Sequence, residues 1–70
     1  MIWTADKNAR NPYNPTFTTW TTPSLPGIRI AYEYNPYVVY RYQVQRLGER
    51  NWEYVAEFRT LEEAQAFAAK

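Results

Sequence analysis

Cysteine and histidine are both absent from the chain. Without cysteine there is no disulfide framework and no thiolate chemistry, which fits a reducing compartment. Without histidine, Cys–His and Ser–His catalysis, zinc sites of the usual ligand sets and a pH switch near neutrality all fall away. Glycine is scarce, with only Gly27 and Gly48, so there is no Gly-rich loop to cradle a phosphate. The chain also lacks a dominant charge, since eight basic residues stand against seven acidic ones for a formal net charge of +1. A protein that lives on phosphate contacts normally carries a clear basic excess. No apolar run approaches the ~20 residues of a membrane span, and the first residues lack the basic and hydrophobic regions of a signal peptide. The expectation is a cytoplasmic protein that uses no cofactor, no metal and no membrane.

What is present in excess is aromatic surface: three Trp, seven Tyr and three Phe in 70 residues. A single domain of this length sits near the lower limit at which one core outweighs chain entropy, and each aromatic can bury on the order of 150–250 Å² towards it. The carboxylates offer little for catalysis. Glu53 and Glu57 are expected on a solvated sheet face, Glu62 and Glu63 are explained by a helix start, and the only serine, Ser24, lies between prolines with no base in the chain to activate it. An enzyme is not expected.

Residues 1–27 read as an extended aromatic arm. This stretch holds four of the five prolines (Pro12, Pro15, Pro23 and Pro26), which fix their own φ and bias the preceding residue away from helix. Within it, residues 16–22 are β-branched and aromatic and fit a short edge strand. Trp3, Tyr13, Phe17 and Trp20 argue against a floppy tail, because disordered segments are poor in aromatics.

Residues 28–70 read as one sheet-plus-helix unit. Alternation with period two gives strands over about 28–34, 37–47 and 52–59, a three-stranded antiparallel meander. Ile28, Ile30, Tyr32 and Tyr34 share one face, as do Val38, Tyr40, Tyr42 and Val44, and Trp52, Tyr54, Ala56 and Phe58. Pairing Tyr34 with Val38 stacks Tyr32 on Tyr40 and Ile30 on Tyr42. Pairing Arg46 with Trp52 sets Val44 opposite Tyr54 and Arg41 opposite Glu57. A one-residue slip from either register would send an aromatic face into water. Thr60 with Glu63 makes a capping box, and Leu61, Ala64, Phe67 and Ala68 form an apolar stripe, so a helix is expected over about 61–70. The fold class is α+β, with the helix packed on the aromatic face of the sheet.

Such a helix covers a footprint of roughly 150 Å², about half of what three seven-residue strands present. The remaining aromatic surface has to be covered by the arm, by a second copy in a homodimer, or by another molecule. Tyr, Trp and Arg are the types enriched at binding hot spots, and an extended Thr-rich segment can also add to a sheet edge on another protein. The candidate protein-contact residues are Trp3, Tyr13, Phe17, Trp20, Tyr32, Tyr34 and Trp52. The reading that follows is a small non-catalytic protein acting by protein–protein interaction. In its size and lone-domain build it resembles the small accessory proteins of bacteriophages and bacterial mobile elements, some of which inhibit host factors. A small-ligand site between arm and sheet is a further alternative, without a polar constellation to support it.

The C-terminal half carries one family resemblance. Tyr40-Arg41-Tyr42-Gln43-Val44, a Gly turn, Trp52 and then Phe58-Arg59-Thr60-Leu61-Glu62-Glu63-Ala64 resemble the AP2-type domains of plant transcription factors and phage integrase arms. In those domains three strands lead into an F-x-T-x-E-E-A helix. The resemblance implies DNA binding through the outer sheet face, which here carries Arg29, Arg41, Gln43, Gln45 and Arg59 as candidate nucleic-acid contacts. On that face Glu33, Glu53 and Glu57 would interleave with the arginines and repel phosphates, so charge balance disfavours nucleic acid as the partner.

Overall fold

The computed structural model describes residues 1–7, 17–34, 36–39 and 41–70. Five strands and one helix follow one another: β1 (Thr4–Asp6), β2 (Thr18–Thr21), β3 (Ile28–Tyr32), β4 (Tyr42–Leu47), β5 (Trp52–Phe58) and α1 (Leu61–Ala68). The strands form one sheet in sequence order, every neighbouring pair antiparallel. The sheet is therefore wider than the three strands expected. The segment from 16 to 22 supplies β2, but as an interior strand with β1 outside it, so Thr4–Asp6 and Thr18–Thr21 belong to the same sheet as β3 to β5. No described helix is long and apolar enough to cross a membrane.

Two of the connections and the helix start have a local cause. Between β2 and β3, Pro26 and Gly27 sit at the centre of a turn closed by Ile28 N–H donating to the Leu25 carbonyl at 3.2 Å. Gly27 has φ +80°, the left-handed value that the second central position of a type II turn demands and that glycine adopts without a Cβ clash. Between β4 and β5, Gly48 N–H donates to the Asn51 carbonyl at 2.9 Å and closes a four-residue turn. The helix start keeps half of the expected capping box: Thr60 Oγ1 accepts from Glu63 N–H at 3.2 Å, while Glu63 Oε1 accepts from the Thr60 hydroxyl at 3.1 Å rather than from its backbone N–H.

One face of the sheet carries the helix. Ile30 and Ala64 are 0 % exposed and Val44 is 1 % exposed, with Trp3, Trp20, Ile28, Tyr42, Phe58, Leu61 and Ala68 packed round them. Ala64 at the centre matters because a methyl group lets the helix axis come close to the strands. Trp20 and Tyr32 each stack against Tyr42, with ring centroids 5.8 and 5.0 Å apart, and Phe58 meets Phe67 at 5.2 Å. The aromatic surface that α1 leaves bare is thus taken up by Trp20 of β2 and by Trp3, just ahead of β1.

The registers differ from those expected, and the difference changes which side chains face out. In β3–β4, Ile30 pairs with Val44 and Tyr32 with Tyr42, two residues from the expected pairing. A shift of two keeps every side chain on its face. The cause is strand length: β3 ends at Tyr32 and β4 begins at Tyr42, so Tyr34 and Val38 lie in the connecting loop rather than opposite each other. Tyr40 lies outside the described residues.

In β4–β5, Tyr42 pairs with Phe58 and Val44 with Ala56, but the next pair is Gln45 with Tyr54, leaving Val55 without a partner. This is a β-bulge, one extra residue in β5, and it reverses the alternation beyond it. Trp52 and Tyr54, expected on the helix face, therefore lie on the opposite face with Leu47 and Gln45. The same reversal carries Glu53 to the helix side, where it pairs with Arg46 at 3.8 Å. Glu53 and Glu57 consequently do not share a face. The partner of Glu57 is Gln43, not Arg41.

Candidate functional site

No described helix packs on the sheet face away from α1; Thr19 and Ala31 on its β2–β3 side are buried, and its β3–β5 side collects the chemistry of the chain. Arg29 of β3 is the best-fixed side chain on it. Its Nε donates to Gln45 Oε1 at 2.7 Å, and its guanidinium carbon lies 4.4 Å from the centroid of the Trp52 ring. Gln45 Nε2 in turn donates to Gln43 Oε1 at 3.1 Å, so both amides have their orientation set by the arginine. The ladder exists because Arg29 and Gln45 are cross-strand partners and because the bulge delivers Trp52 to the same side. Partial burial holds the Arg29 pKa below its ordinary value, by desolvation of the cation. Among the described residues, no carboxylate contacts Arg29.

A concavity of about 220 Å³ opens further along this face, lined by Phe17, Ala31, Glu33, Val38, Arg41, Gln43, Gln45 and Glu57. Arg41 on its rim is held twice, with Nε donating to the Val38 carbonyl at 3.2 Å and the guanidinium carbon 4.8 Å from the Tyr34 ring centroid. The face thus has two arginine–aromatic pairs, one on Trp52 and one on Tyr34. Such pairs contribute about 0.5–1 kcal/mol each when exposed. Large apolar groups stand out beside them: Tyr54 is 60 % exposed and Tyr34 50 %, and Leu47 and Val38 are exposed too.

The residues singled out from the sequence separate cleanly. Trp3, Trp20 and Tyr32 belong to the helix-side packing. Phe17, Tyr34 and Trp52 come to the open face. Tyr13 lies outside the described residues. Arg29, Arg41, Gln43 and Gln45 are brought together, while Arg59 is exposed one residue past the end of β5. Tyr54 and Leu47 were not among the candidates. The only signal for them was Val55, an apolar residue at a position expected to face water, next to the small Ala56 at a position expected to fill the core.

Among the described residues, no group of three or more acidic side chains could hold a metal ion. No family model, no curated protein and no solved structure matches the chain.

Proposed function

We propose that this is a protein-binding module that docks its partner on the open face of the sheet. The observation that supports this reading is the bulge at Val55. It turns Trp52 and Tyr54 out of the core and sets them beside Arg29, Leu47 and Gln45. An uninterrupted strand would have placed both aromatics on the helix side of the sheet, away from Arg29. Trp, Tyr and Arg are the side chains that dominate interface hot spots, and here they stand on strands rather than on loops. A role as a small accessory protein of a phage or mobile element, occupying a host factor, is compatible with such a face.

A photo-crosslinking amino acid at position 54 tests the reading, with the same group at position 66 on the exposed side of α1 as the control. Adducts with a partner should form from position 54 and not from 66. Equal adducts from both, or none from 54, would remove the reading.

One observation favours a second reading, nucleic-acid binding. The cross-strand pairing gathers Arg29, Arg41, Gln43 and Gln45 onto this same face. Glu33 and Glu57 beside them weigh against it, since each opposes a phosphate. A gel-shift titration with duplex and single-stranded oligonucleotides at low salt separates the two readings. The protein-binding reading requires no shift there. A small ligand is less well served, because the concavity of about 220 Å³ falls short of the ~300–1,000 Å³ of most ligand sites.

A further inference from the structure

We infer that the partner is an extended peptide segment bearing a single carboxylate, and that the carboxylate seats on the Arg29 guanidinium between Trp52 and Gln45. This rests on the protein-binding reading above and assigns its specificity.

Arg29 is held on two sides and, among the described residues, lacks an anion on the third. Its Nε is committed to Gln45 at 2.7 Å and its plane rests near the Trp52 ring at 4.4 Å. The two terminal nitrogens have no carboxylate among the described residues. A guanidinium fixed at Nε and on one face still presents its Nη edge, the edge that meets a carboxylate through parallel hydrogen bonds. Partial burial without a counter-ion makes the cation costly as it stands, in line with the lowered pKa. An arriving carboxylate removes that cost and meets a donor whose rotamer is already set, so little side-chain entropy is lost on binding. Gln45 and Gln43 extend the ladder along β4 and hold Arg29 from behind. They act as positioning residues.

The size of the patch selects the form of the partner. Arg29, Gln45 with Leu47, and Trp52 with Tyr54 lie on three adjacent strands. At ~4.8 Å between strands this is about 10–15 Å across, the width of one extended chain with its side chains. A globular partner burying the roughly 800 Å² per side of a stable dimer would have to cover Glu33 and Glu57 as well. Leu47 and the exposed Tyr54 flank the site, so the acid should sit between apolar residues.

Charge selects a carboxylate over a phosphate chain. A nucleic-acid strand carries one charge per ~3.4 Å and would set further phosphates against Glu57 and Glu33 on the same face. A segment with a single acid meets the half-buried Arg29, which has no carboxylate partner among the described residues, and avoids both glutamates.

The test is selection of a random dodecapeptide display library on the immobilised full chain. Selected peptides are then measured by fluorescence anisotropy against wild type, Arg29→Gln, Arg29→Lys and Tyr54→Ala, each first checked for an intact thermal melt. Enriched peptides should share one Asp or Glu flanked by apolar residues. Changing that acid to its amide should weaken binding roughly tenfold to a hundredfold. Arg29→Gln should do the same, and the two changes together should cost little more than either alone. If Arg29→Gln fails to fold, Arg29→Lys with the acid and amide peptides carries the test, with the acid preference reduced but retained. Peptides lost on Tyr54→Ala but indifferent to Arg29 and to their own acid would overturn the inference while leaving the open face as a docking surface. Recovery of no peptide dependent on Tyr54 or Arg29 would overturn both. Arg29-dependent binding of a fluorescein-labelled 12-nucleotide strand, without acidic peptides, would assign the anion as phosphate. A sedimentation dimer that Arg29→Gln converts to monomer would assign a second copy. Either result overturns the peptide assignment.

Discussion

Three side chains with almost no surface in water, Ile30, Val44 and Ala64, hold the helix to the sheet. A chain of 70 residues carries a net stability of only ~3.5–10 kcal/mol at the usual ~0.05–0.15 kcal/mol per residue. Single atoms at this junction therefore weigh heavily. Ile30→Ala removes buried carbons and leaves a cavity between β3 and α1, at a cost of about 3 kcal/mol, whereas Ile30→Val costs about 1 kcal/mol. Urea melts should show that ratio with an unchanged m-value, and equal losses would mean the site collapses around the smaller side chain. Gly27→Ala belongs to the same scale. Its φ of +80° charges an L-residue about 1–2 kcal/mol. At roughly 4–8 °C per kcal/mol for a domain of this size, the melt should fall by about 5–15 °C. A melt within 2 °C of wild type would show that the turn re-forms in another geometry.

Among the elements, β5 decides what the protein shows to solvent, and it does so through one residue. Val55 has no partner in the β4 ladder, so deleting it leaves every pair from Tyr42–Phe58 to Leu47–Trp52 intact. The shortened strand should still fold, with Trp52 against Arg29 and Tyr54 outward, at a smaller stability cost than Ile30→Ala. Trp52 indole shifts and their response to Arg29→Gln in two-dimensional NMR would check this. Loss of the Arg29–Trp52 contact in the deletion variant would show that the twist of the bulge, and not the pairing, sets the face.

This element also marks where the sequence stops being informative. α1 was readable because Thr60 and Glu63 bond to each other within four residues. The core of β3 and β4 was readable because Ile30 and Val44 keep period two, and a register error of two residues leaves the face unchanged. The bulge was not readable: Ala56 and Phe58 face the helix with or without it, and the one irregularity in the alternation, apolar Val55 at an outward position, does not say that the strand gains a residue there. β1 was invisible for a related reason, since Thr4, Ala5 and Asp6 are all exposed and carry no pattern. The arginine ladder was half legible. Period two gathers Arg29, Gln43 and Gln45 on one face but puts Trp52 on the other, and only the bulge returns it.

For the molecule as a whole, the weight falls on residues that look least structured in the sequence. β2 pairs with β3 along four residues and brings Trp20 against Tyr42, and β1 extends the sheet beyond it. Removing residues 1–22 would leave Ile28, Ile30 and Tyr32 on an unpaired edge and strip Trp3 and Trp20 from the core periphery. Unpaired apolar edges recruit other strands, and a three-stranded remnant with an eight-residue helix buries too little to offset its chain entropy. The truncated chain should show no cooperative thermal transition by circular dichroism and should elute as aggregates. Removing only residues 1–6 should be milder, because β1 is fully exposed and Trp3 is half-buried, so its loss should lower the melt without abolishing it. The ordering of the two truncations is the decisive result. If both behave alike, β1 with Trp3 holds the sheet edge closed; if neither changes the melt, the first two strands are additions to a domain that stands without them.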